Sequence, residues 1–223
     1  MNDTTEPAHP LAIQKETLHD QVASRVRDLI IEGVLEPGSR IDETTLLRQL
    51  GVSRTPFRES LRTLAAEGLI VIRPSHGSRV RKLTPSEVQS MLEVLAHLEG
   101  LVGRLACERA SDADIEGMLD LHRRMIGYYE SRNRLPYYKL NQEFHSRLTE
   151  LSGNPTLVEI QANIQARLKR IRFMGNATPE HWANAVAEHE EMVAALKDRD
   201  ATRLSDIMER HLANTWDRVQ NSI

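Results

Sequence analysis

The chain has 223 residues, 40% of them hydrophobic, a single cysteine and a formal net charge of −3. That length exceeds one ordinary domain and supplies enough apolar residues for a sizeable core, which excludes a disordered or fibrous chain and leads us to expect two domains of roughly 70 and 140 residues. No apolar run approaches the ~20 residues of a membrane span, and the opening MNDTTEPAHPLAIQKE lacks a basic-then-apolar secretory pattern, so a cytoplasmic protein away from membranes is expected.

The acidic sum conceals a segregation. Residues 15–82 hold twelve Lys and Arg against nine Asp and Glu, and residues 54–82 hold seven against two. Phosphate contacts need local rather than global positive charge, so a basic segment on an acidic chain suits a protein with one DNA-facing end.

In chain order, residues 1–14 hold two prolines and no periodicity, the pattern of a flexible arm. From Leu18, Val22, Val26, Leu29 and Ile30 share one helical face and Gly33 supplies a stop. After the Pro37-Gly38 turn, Asp42 is placed to cap a short helix from Glu43 to Leu50, with Leu46, Leu47 and Leu50 turned inward and Gly51 as breaker. A second helix follows, with Ser53 at its N-cap, Pro56 in its first turn, Phe57, Leu61, Leu64 and Ala65 as its apolar stripe, and Gly68 at its end. Arg54, Arg58 and Arg62 share another face. A short helix, a glycine turn and a second helix with arginines near its N-terminus is the helix-turn-helix arrangement. Leu69 to Ile72 and Ser78 to Arg81 then read as two strands around the turn residues Arg73 to Gly77, a basic β-hairpin wing.

Over residues 18–82 the chain closely resembles the GntR superfamily of bacterial regulators, through the segment IIEGVLEPGSRIDETTLLRQLGVSRTPFRESLRTLAAEGLI at 30–70. The resemblance implies a winged helix-turn-helix domain at 15–82, with DNA contacts from Ser53, Arg54, Thr55 and Arg58 on the recognition helix and from His76 and Gly77 at the wing tip. The chemistry agrees: arginine forks onto guanine O6 and N7, hydroxyls hold phosphates, and a wing glycine lets backbone approach the minor groove.

Beyond Pro85 no strand signal remains. Helical segments are expected at about 86–110, 112–131, 135–152, 156–174, 179–198 and 200–221, forming an antiparallel bundle over 83–223, so that the chain as a whole is mainly α. The first, with Leu92, Leu95, Leu98, Val102 and Leu105, is expected at the bundle centre, and Cys107 is expected as a small buried apolar residue. Three histidines fall on the apolar sides of different late helices: His145 beside Phe144, His189 between Val186 and Met192, and His211 between Met208 and Thr215. One such histidine is ordinarily a hydrogen-bonded core residue. Three neutral imidazoles converging from facing helices also suit zinc or another borderline divalent metal, with Asn141, one turn before His145, as a further donor.

Residues 86–215 resemble the FCD effector-binding domain of the FadR-like branch, through N-x-x-F-H-x-x-L…S-G-N-P at 141–155, E-H at 188–189 and R-H-L at 210–212. Metal-binding members ligate through an Asp and three histidines, which map onto Asn141, His145, His189 and His211. The Asn is a departure and makes a weaker, neutral donor. A second departure is Leu95, where many relatives carry an effector-binding arginine; Arg167, with the adjacent Asn163, is the candidate to stand in, since Ile160, Ile164, Arg167 and Ile171 share a stripe, although a solvated arginine fits the same spacing. The resemblance implies a homodimer on a palindromic double-stranded DNA operator, most often a repressor, answering to a small organic acid held by the metal and an arginine. Two other readings use the same histidines: a direct metal sensor and a metal-dependent enzyme. Against the enzyme, the helix phases of Glu143 and Glu188 turn away from the neighbouring histidines, leaving no evident general base.

Overall fold

A computed structural model describes residues 17–223; the arm expected at 1–14 lies outside the described residues. The first helix, α1 (Leu18–Glu32), starts at a reciprocal cap in which Thr17 and Asp20 satisfy each other's backbone N–H groups, and it ends at Gly33 in the left-handed region. Asp42 accepts from the Thr45 N–H to start α2 (Glu43–Leu50), and Gly51, also left-handed, turns the chain into α3 (Arg54–Ala66). Only Leu46 of the three α2 leucines is fully buried; Leu47 and Leu50 border the core. The wing is β1 (Ile70–Arg73) antiparallel to β2 (Gly77–Val80), with Ile70 opposite Val80 and Arg73 opposite Gly77. Val22, Val26, Ile30, Phe57, Leu61, Leu64 and Val80 close one core over these elements.

The six remaining helices match the expected segments to within two residues at every end: α4 (Pro85–Arg109), α5 (Asp112–Glu130), α6 (Arg134–Leu151), α7 (Pro155–Met174), α8 (Pro179–Lys197) and α9 (Ala201–Val219). Pro85, Pro155 and Pro179 each stand in a first turn, where the missing N–H costs nothing. α4 touches α6, α7, α8 and α9, the central place expected of it. Cys107 is buried and its thiol is pushed up to about 11, chiefly by burial.

The two cores meet along α1 and α7. Arg27 donates to both carboxylate oxygens of Glu67, at the end of α3, at 2.8 and 2.5 Å, and Lys169 of α7 reaches the same carboxylate at 3.1 Å. Lys139 of α6 pairs with Asp28 at 2.6 Å, and Arg170 of α7 donates to the carbonyls of Ile30 and Ile31 at the α1 C-terminus. That cation sits at the negative end of the α1 dipole.

Candidate functional site

The surface that would read DNA is built from α3 and the wing. Phe57, Ser60, Leu61 and Leu64 bury one face of α3, which leaves Arg54, Thr55 and Arg58 exposed on the other. Ser53 holds the N-cap position, but its hydroxyl makes no capping bond and stays exposed. Arg62 is paired with Glu59 at 2.8 Å, whereas Arg54 and Arg58 have no acidic partner among the described residues. Two uncompensated guanidinium groups one turn apart form a local positive field where a duplex would sit. At the wing tip Ser75 and Gly77 both have positive φ, 61° and 77°, which turns the hairpin tightly and leaves His76 exposed, its Nδ1 2.9 Å from the Pro74 carbonyl.

The second constellation lies inside the helical bundle. His145 of α6, His189 of α8 and His211 of α9 are all buried, and each offers a ring nitrogen within 4.8 Å of the others. The rings of His145 and His211 stack at 5.4 Å while His189 stands edge-on to both at 5.2 Å. Asn141, one turn before His145, joins them: its amide nitrogen is 2.8 Å from His189 Nε2, and a half-turn of the amide would present the oxygen instead. Burial above all, with Arg172 and the neighbouring histidines adding to it, holds His145 and His189 well below the ordinary histidine range, which favours their neutral, coordinating form. His145 Nε2 and His189 Nδ1 have no hydrogen-bond partner among the described residues. Buried neutral imidazoles with unsatisfied nitrogens at mutual distances of this size fit the donor set of a borderline divalent ion.

Carboxylates stand behind two of the histidines, as they do behind many metal-bound imidazoles. His211 Nδ1 donates to Glu188 Oε2 at 2.5 Å, while Glu188 Oε1 receives Asn214 Nδ2 at 2.7 Å and Arg218. Burial pushes Glu188 up, but the His211 bond and the Arg218 charge outweigh it and keep the carboxyl below its usual range. The expectation that no carboxylate stands beside the histidines is thus corrected, since Glu188 is hydrogen-bonded to His211 on the next helix. Glu99 of α4 lies 3.0 Å from His145 Nδ1 but off the line of a hydrogen bond, and is wholly buried, which raises its pKa despite Arg172 and His211 nearby. Glu143 is exposed.

Two expectations are corrected here. Asn163 is exposed and donates within its own helix to the Glu159 carbonyl, and Arg167 turns toward Gly68 of the first module, so neither reaches the histidines. The arginine that does face this interior is Arg172, 5% exposed, with its Nη1 3.8 Å from Glu99 Oε1 and both terminal nitrogens lacking hydrogen bonds. Gln161 Nε2 completes the group by donating to Glu99 Oε1 at 3.4 Å. Of the isoleucine stripe chosen from the sequence, Ile164 and Ile171 do pack into a core, but Ile160 is 45% exposed, and the stripe toward Glu99 is Gln161, Gln165, Leu168 and Arg172. Polar residues on the inner stripe carry no hydrophobic signal, which is why periodicity passed over them. Glu99 did leave a trace, since it interrupts the spacing of Leu92, Leu95, Val102 and Ala106 that otherwise marks the buried side of α4.

Comparison with known proteins is consistent across both modules. Residues 18–80 match the family described as bacterial regulatory proteins, gntR family, and residues 90–214 match the FCD domain. The Nta operon transcriptional regulator of Aminobacter aminovorans is 32% identical over 188 residues, covering 82% of this chain and 85% of that protein. The HTH-type transcriptional repressor RspR of Escherichia coli (strain K12) is 25% identical over 206 residues, covering 92% and 90%. Among solved structures, E. coli McbR/YncC superposes with a TM-score of 0.73 at 23% identity, over 90% of this chain and 98% of that one, a likeness of fold.

Proposed function

The chain belongs to the GntR family of bacterial regulatory proteins, with an FCD domain behind its helix-turn-helix, and from this we propose a DNA-bound repressor that a small organic acid releases through the histidine site. In this reading residues 15–82 are the DNA-binding domain and 83–223 the effector-binding and dimerisation domain, and the protein works as a cytoplasmic homodimer on a palindromic operator. Ser53, Arg54, Thr55 and Arg58 enter the major groove, and His76 and Gly77 meet the adjacent backbone or minor groove.

The observation that carries the effector reading is the meeting of three buried imidazoles, two of them neutral, with an arginine whose terminal nitrogens are unspent. His145, His189 and His211, with Asn141 through its amide oxygen, would hold a divalent ion, zinc by the chemistry of the donors. Such an ion would supply a positive charge with an exchangeable position for a carboxylate oxygen. Arg172, rather than Arg167, is then the cation that orients an acid from the α7 side, and Glu99 opposes it, favouring an acid that also brings a hydrogen-bond donor over one with a second carboxylate. Glu188 orients His211, and its engagement with three donors leaves it unsuited to activate water, which argues against hydrolysis.

Elemental analysis of protein purified without chelator tests the site, together with H189A and H211A. About one divalent ion per chain in the wild type, lost in both variants, supports it. Equally low metal in all three would make the histidines ordinary core residues. Deep burial of the cluster favours a second reading, in which the metal itself is the signal. Dialysis separates the two, because a resident ion is retained and a signalling ion exchanges.

A further inference from the structure

A cleft of about 460 Å³ lies where the two modules meet, within the size range of small-molecule sites, roughly 300–1,000 Å³. Its charges are unequal. Arg81 and Lys82, from the segment that leaves the wing, and Arg167 and Arg170, from α7, all line it, against one acidic side chain, the exposed Glu36, with Ser222 and Ile223 also in the lining. Two of these cations are already engaged, Arg81 with Glu87 at 3.5 Å and Arg170 with the α1 carbonyls. Arg167 is different: no described residue pairs with it, and its Nε is buried without a partner. Its stem is fixed against Gly68, where an added Cβ would come within 2.9 Å of Arg167 Cγ, so the guanidinium is held in the cleft by packing. Arg167 is only partly buried, and its guanidinium is free to make charge-assisted hydrogen bonds to an anion entering the cleft. Much of the rest of the lining is aliphatic, with Leu69 from the first module and Leu83, Ile171 and Met174 from the second.

We propose that this cleft is a second ligand site, separate from the histidine cluster, which takes an organic anion with an apolar body, of the kind represented by a medium-chain monocarboxylate. The carboxylate pairs with Arg167 and Lys82, and the tail displaces water from the aliphatic walls. Because the lining comes from both modules, a bound anion ties the DNA-reading end to α7 and biases how the two sit together. The site shares no residue with the histidine cluster, so it stands or falls independently of the function proposed above.

Calorimetric titration of the full chain with octanoate, octanol and acetate tests the proposal, in the wild type, R167M and H189A. Octanoate should bind at about one per chain, with octanol and acetate each weaker by roughly tenfold or more, since each lacks one half of the recognition. R167M should lose roughly tenfold in octanoate affinity, and H189A should bind as the wild type does. Hydrogen exchange on the wild type gives a readout that needs no variant: octanoate should protect backbone amides near Gly33 to Leu35 and Arg81 to Leu83 and leave those around His189 unchanged. Undiminished binding by R167M, equal binding of octanol, loss of binding in H189A, or protection around His189 would each overturn it.

Discussion

At the scale of single residues, the side chains that matter most are those whose polar atoms the fold leaves unspent. Arg54 and Arg58 are exposed and have no acidic partner among the described residues, while Arg62, on the same face, is tied to Glu59. Replacing either of the first two by Ala should therefore cost about 1–3 kcal/mol of specific DNA binding, the worth of one bidentate base contact, while R62A should cost less. Anisotropy titrations at fixed salt on one operator duplex would show this ranking; equal losses in all three variants would mean that the arginines act only as diffuse charge. The buried histidines give a pH prediction for metal-free protein. Burial depresses His145 and His189 in the folded state, so below the unfolded histidine pKa of about 6.5 the unfolded chain binds more protons and stability falls as pH falls. Two such groups give a slope of at most roughly 2.7 kcal/mol per pH unit. Urea midpoints between about pH 7.5 and 5.5 should drop accordingly in the wild type and less in H189A. A flat profile would mean that both imidazoles are accommodated as cations.

At the scale of elements, helix ends are local chemical events: Thr17, Asp42, Thr84, Ser111 and Asn154 cap their helices with side-chain oxygens and Gly33 and Gly51 end theirs with positive φ, but of the caps only Asp42 is read from the sequence, and Ser53, also expected as one, makes no capping bond. What did not show was which side of α7 faces which neighbour. That helix has two working sides, with Arg172, Gln161 and Leu168 toward the bundle and Arg167, Lys169 and Arg170 toward the DNA-reading module. Local spacing cannot rank two polar sides, and only the tertiary arrangement decides between them. The same arrangement sets the cost of changing a glycine. Gly51 and Gly68 both have positive φ, but nothing stands within 4 Å of a Cβ added at Gly51, whereas at Gly68 it would press on Arg167. G51A should cost about 1 kcal/mol for backbone strain alone, and G68A should cost more and shift Arg167 as well. Thermal unfolding of the two variants compares them directly, and equal costs would argue that α7 does not rest on Gly68.

At the scale of the molecule, the net charge of −3 was a poor guide and its distribution a good one, since the arginines without an acidic partner among the described residues belong to the first module and the histidine cluster to the second. Between them α7 carries Arg172 beside Glu99 and, one turn earlier, Lys169 on Glu67 at the end of α3, with Arg27 of α1 on the same carboxylate. A shift of α7 by even a fraction of a turn on ligand binding would reach the recognition helix through that carboxylate, the kind of rigid-element movement by which packed helices switch. One such module spans only a few base pairs, which is why the proposed function pairs two copies on a palindrome, and under that proposal sedimentation at micromolar concentration should give a dimer. A monomer both alone and with DNA would contradict it.

The central claim is that occupancy of the histidine site governs DNA binding. The direct measurement is anisotropy of a labelled operator duplex, selected from random sequence with the full chain, titrated at fixed salt with and without a panel of hydroxy and amino acids such as lactate, malate and glutamate. At least one acid should weaken operator affinity in the wild type and leave H189A and H211A unaffected, while the acid-free affinity of these variants stays within a few-fold of wild type. A response that persists undiminished in both variants, or that R172Q leaves intact, would contradict the account.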